Sequence, residues 1–76
     1  MALTAREQEM AEIWSKALGF EVNDPTANFM DLGGSSLLAA QVASKATEAF
    51  GFKVSVVDVI VSPSLRAFVG ELETAG

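Results

Sequence analysis

Only one stretch of this chain is built like a β-strand, and it has nothing to pair with. Phe52-Lys53-Val54-Ser55-Val56-Val57-Asp58-Val59-Ile60-Val61 is dense in β-branched residues, which favour a pleated backbone. A strand without a neighbour leaves its N–H and C=O groups unpaired, and no second run of this kind exists. Helices are therefore expected throughout. The stretch then reads as a short helix over residues 55–61, capped by Ser55 with Asp58 at the third position. Its apolar residues spread over about 200° of the wheel, more than one core can cover, so some face solvent or a partner.

The remaining chain carries helical periodicity. Thr4-Ala5-Arg6-Glu7 matches a capping box, and Met10, Ile13, Trp14, Ala17 and Leu18 follow as one apolar stripe. Trp14 lies on that stripe and reads as a packing residue. Arg6, Glu9, Glu12 and Lys16 occupy other faces, with Glu12 and Lys16 favourably ordered as an i, i+4 pair. Gly19 closes the helix, and residues 20–35 form a long connection punctuated by Asn23-Asp24-Pro25. Val22, Phe29, Met30 and Leu32 are its expected anchors.

A second helix spans residues 36–50 and ends before Gly51. Leu38, Ala39, Val42, Ala46, Ala49 and Phe50 share one face, Gln41, Ser44, Lys45, Thr47 and Glu48 the other, and Leu37 stands within the polar face. Ser62-Pro63 reads as the cap and first residue of a last helix, whose stripe is Leu65, Phe68, Val69 and Leu72. The expected fold is an all-α, four-helix bundle with three longer helices, one short third helix and a long loop between helices one and two.

The residue inventory removes most chemistries. Ten acidic residues against five basic ones give a net charge of −5, which disfavours nucleic acid as a partner. The chain has no His and no Cys, hence no usual general base, thiolate or common metal ligand. Lys45 stands about 13 Å of helical rise from Ser36, too far to activate it. Asp24, Thr26 and Asn28 alternate like the first ligands of a calcium loop, yet Phe29 and Ser35 occupy the positions that need glycine and glutamate. No metal site and no independent catalysis are expected. No apolar run approaches a membrane span and no signal pattern occurs at the N-terminus, so a cytoplasmic protein is the expectation.

What remains is Leu32-Gly33-Gly34-Ser35-Ser36-Leu37, a glycine turn delivering serine hydroxyls to a helix start. Unpaired N–H groups and the positive end of the helix dipole there favour a phosphate. Asn28-Phe29-Met30-Asp31-Leu32-Gly33-Gly34-Ser35-Ser36-Leu37-Leu38-Ala39-Ala40 closely resembles the phosphopantetheine attachment region of carrier proteins. The chain looks most like the peptidyl carrier, or thiolation, domains of nonribosomal peptide synthetases, with the acyl carrier domains of polyketide or hybrid synthases as the alternative.

The resemblance implies that Ser36 receives 4'-phosphopantetheine from coenzyme A, through a phosphopantetheinyl transferase that holds the magnesium. It implies a non-catalytic carrier of aminoacyl, peptidyl or acyl thioesters. Its partners would be adenylation, condensation, ketosynthase or thioesterase-type domains. In the family the residue before the modified serine is usually histidine or aspartate; here it is Ser35. Leu37 beside the surplus apolar residues of the third helix forms a natural docking patch, to which Leu37, Gln41, Val57 and Ile60 are expected to contribute. Residues 1–76 read as a single monomeric domain excised from a larger synthetase.

Overall fold

Four helices and no strand form among residues 3–75, which are the residues that the computed structural model describes. They are α1 (Ala5–Leu18), α2 (Ser36–Phe50), α3 (Val56–Val61) and α4 (Leu65–Ala75). Met1, Ala2 and Gly76, at the ends of the expected 1–76 domain, lie outside the described residues. Within the β-branched run Val56–Val61 is helical, with Ser55 as its cap, as the lack of a strand partner requires. No helix among the described residues is long and apolar enough to cross a membrane.

Side-chain caps start α1 and α3. Thr4 Oγ1 accepts from Glu7 N at 3.1 Å while Thr4 N donates to Glu7 at 2.9 Å, and Ser55 with Asp58 repeats the device. Helices α1 and α2 end alike. Gly19 and Gly51 adopt left-handed C-caps and donate to the carbonyls of Ser15 and Thr47. The hydroxyls of those same residues then catch the departing chain, accepting from Val22 N at 2.8 Å and Val54 N at 2.9 Å. Each hydroxyl donates its own proton to the carbonyl four residues back.

Helix α2 packs against both α1 and α3, and α4 packs on α1. Trp14 is fully buried, edge-on to Phe29 at 5.1 Å between ring centroids, with Phe68 at 6.3 Å. The whole α4 stripe, Leu65, Phe68, Val69 and Leu72, is buried. Val57 and Val61 of α3 are exposed, as the spread of its apolar residues demands.

Several local expectations are corrected. The cap of α4 is Ser64, whose Oγ accepts from Ala67 N at 3.1 Å, and the helix begins at Leu65. Ser62 cannot serve there because its hydroxyl donates to Asp58 O at 2.6 Å and closes α3. Ala49 is exposed and Ala43 is buried instead, on the side that meets Val54 and Val56. Met30 is exposed and does not anchor the long loop, whereas Val22 and Phe29 do. Among the described residues Arg6 pairs with Glu9 at 2.9 Å, and no ion pair joins Glu12 to Lys16.

Candidate functional site

The glycine turn is held from two directions. Its upstream part is strapped to α4, where Leu65 N and Arg66 N, which have no carbonyl in their own helix, donate to Ala27 O and Pro25 O at 2.8 and 2.9 Å. Asn28 extends the strap. Its amide nitrogen lies 3.3 Å from both Ser62 O and Pro63 O, and its Oδ1 accepts from Asp31 N at 3.0 Å. Asp24 accepts from the amide and hydroxyl of Thr26, and those bonds hold its carboxyl below the ordinary value. That carboxylate oxygen is thus engaged in a turn.

The second hold is the aromatic core. Phe29 is fully buried, and its carbonyl accepts from Leu32 N and Gly34 N, each at 3.2 Å. The chain coils tightly here, and Gly33 sits at φ 98°, a conformation that L side chains rarely adopt. Gly34 is needed for a different reason. A β-carbon there would meet the Phe29 ring at 2.5 Å and the Phe29 carbonyl at 2.8 Å.

Beyond the turn the two serines divide the work. Ser35 is the N-cap of α2, extended at φ −136° and ψ 171°, and its Oγ accepts from Leu38 N at 3.2 Å. Ser36 is the first helical residue and is exposed. Its hydroxyl has no hydrogen-bond partner among the described residues. No acidic residue lies in the first turn of α2, so the positive end of the dipole is not neutralised from within the helix. An uncommitted hydroxyl beside open amides, on a turn with little steric bulk, fits a phosphate ester. The usual general base is missing, since the chain lacks histidine, and Lys45 lies on the groove between α1 and α2.

The expected docking residues are distributed. Leu37 and Val57 are 70% and 63% exposed, which makes them available to a partner. Ile60 is half-buried and packs on the core, while Gln41 is exposed and lines the α1–α2 groove. Val57 and Ile60 belong to α3 and do not share that groove. Met30 and Val61 are further exposed apolar side chains outside the expected docking set. The excess of apolar residues in helix three was the available signal for Val61.

Fold and site together describe a small helical domain that presents one uncommitted hydroxyl at a helix start. The family model described as the phosphopantetheine attachment site matches residues 8–72, and the chain belongs to that family. Its prosthetic group is phosphopantetheine.

The chain is 42% identical over 62 residues to a component of the linear gramicidin synthase of Brevibacillus parabrevis, covering 82% of this chain and 1% of that protein. It is 39% identical over 72 residues to phosphinothricin tripeptide synthetase PhsB of Streptomyces viridochromogenes, covering 95% of this chain and 6% of that protein. The chain therefore spans a small part of the length of the relatives it matches. It also superposes with a TM-score of 0.86 and 26% identity on a chain in the structure of the phosphopantetheine transferase Sfp in complex with coenzyme A and a peptidyl carrier protein. That match covers 95% of this chain and 94% of the other.

Proposed function

We propose that this domain is a peptidyl carrier of a nonribosomal peptide synthetase and that Ser36 Oγ is the attachment atom for 4'-phosphopantetheine. The observation that carries the residue assignment is the uncommitted, exposed Ser36 hydroxyl beside a Ser35 hydroxyl already engaged as the helix cap. The tripeptide synthetase among the relatives favours peptide over polyketide assembly.

In the attachment step Ser36 Oγ forms a bond to the phosphorus of the phosphopantetheinyl group of coenzyme A. The pyrophosphate P–O bond breaks, 3',5'-ADP leaves, and the hydroxyl proton passes to a base supplied by the transferase. The product is a phosphodiester with one negative charge, which the start of α2 accommodates. When attached, the group supplies a terminal thiol on which an aminoacyl or peptidyl unit is held as a thioester. The domain does no bond chemistry of its own. It presents Ser36 and docks, and tethering raises the effective concentration of the carried unit at each partner site.

The partners of this reading are a phosphopantetheinyl transferase and the adenylation, condensation or thioesterase-type domains of a synthetase. Leu37 and Val57 supply apolar docking contacts, and Gln41 and Ile60 are the further expected contributors. Leu37→Asp is expected to slow loading at least severalfold while the helical signal stays unchanged; an unchanged loading rate removes Leu37 from the interface. Ser36 itself is tested by intact mass after incubation with a transferase and coenzyme A. Wild type and Ser35→Ala gain the adduct, and Ser36→Ala does not. An adduct retained by Ser36→Ala refutes the assignment.

A further inference from the structure

Two consecutive serines give α2 two possible starting points. With Ser35 as cap, Ser36 is the first helical residue and its hydroxyl points to no intramolecular partner. With Ser36 as cap, the helix loses a residue and the Ser36 hydroxyl turns to an N–H of the first turn, the interaction that makes serine a favoured cap. The structure takes the first register. Ser35 Oγ holds Leu38 N at 3.2 Å, and Ser35 O accepts from Ala39 N at 2.8 Å. In the alternative register Ala39 N becomes the donor to Ser36 Oγ, and the nucleophile is consumed in a cap.

We propose that Ser35 is a positioning residue for the modification of Ser36, a role that rests on the reading of Ser36 as the attachment site. By capping α2 it fixes the register in which Ser36 Oγ stays free for the transferase. A serine does this without charge. The first turn of α2 carries no acid, so the incoming phosphate meets an uncharged cap and open amides. An aspartate at position 35 would hold the same register but set a carboxylate beside the phosphodiester. A histidine would need its imidazole to reach the same N–H.

The test compares Ser35→Ala, Ser35→Asn and Ser36→Ala, with a phosphopantetheine transferase and coenzyme A as the modifying system. Alanine cannot cap, so part of the population shifts to the Ser36-capped register and the competent fraction falls. The expected result is a decrease of roughly fivefold in kcat/KM for the carrier, carried mainly by KM. Asparagine, a neutral cap of comparable strength, restores the rate. Amide NMR of unmodified Ser35→Ala should show the Leu38 and Ala39 signals displaced while helical circular dichroism stays near wild type. Wild-type kcat/KM in Ser35→Ala overturns the proposal, as does a loss that Ser35→Asn fails to rescue. Peptide mapping separates the two readings. An adduct on Ser36 at an unchanged rate rejects the role of Ser35 alone, whereas an adduct in Ser36→Ala rejects the attachment site itself.

Discussion

A methyl group at position 34 would stand 2.5 Å from two atoms of the Phe29 ring, and that ring is fully buried and packed against Trp14, with 5.1 Å between ring centroids. Gly34→Ala is therefore expected to destabilise the domain by about 1–3 kcal/mol, the usual cost of overpacking a filled core. Urea denaturation followed by Trp14 fluorescence measures this directly, since Trp14 touches the displaced ring. A midpoint within error of wild type would mean the loop yields. The glycine pair was legible as a turn, and Phe29 as core, from the residues alone. The reason for the second glycine was not, because it depends on which ring lies across it. The serines show the same divide: the family resemblance made Ser36 the expected attachment position, while only the hydrogen bond to Leu38 N assigned the cap to Ser35.

At the scale of elements, α1 and α2 end by one device, a hydroxyl four residues before the C-capping glycine that holds the amide seven residues further along. Helical periodicity and capping glycines revealed where both helices stop. The hydroxyl straps were hidden, since Thr47 stood among the polar-face residues of its helix and Ser15 has no local pattern that marks it. Their value follows from what they satisfy. Val54 is buried, and removing its acceptor leaves an amide without a partner away from water. Thr47→Val keeps the shape and deletes the hydroxyl, so a loss of about 1–3 kcal/mol is expected, with Thr47→Ser recovering most of it. Equal urea midpoints for Thr47→Val and wild type would show that the strap contributes nothing. The start of α4 escapes the sequence pattern for a related reason: Ser62 is a good cap by type, but its hydroxyl is spent on Asp58 O.

Across the whole molecule, the loop that carries the site, the start of α4 and the start of α1 are joined through Arg66. Its amide donates to Pro25 O, and its guanidinium holds Glu7 through Nε at 2.7 Å and a second nitrogen at 3.2 Å. Glu7 is the buried carboxylate of the Thr4 capping box, so one side chain serves a local cap and a contact 59 residues away. The cap was readable from four adjacent residues; the distant contact had no local signature. Arg66 and the Thr4 amide hold the Glu7 carboxyl at about 2, against an ordinary value of 4.5. A carboxylate whose folded value is depressed stabilises fully above the unfolded value, and that contribution drains away as the pH falls from about 4.5 towards 2. Arg66 remains charged throughout, since Glu7 raises its value further. Melting temperatures of wild type and Glu7→Gln should therefore differ by a constant amount from pH 7 to about pH 5, with wild type the more stable. The two curves should then converge as the acid range is entered. A gap that stays constant down to pH 2 would mean that the Glu7 carboxylate titrates alike in folded and unfolded chains, and that its pairing with Arg66 does not stabilise the charged form.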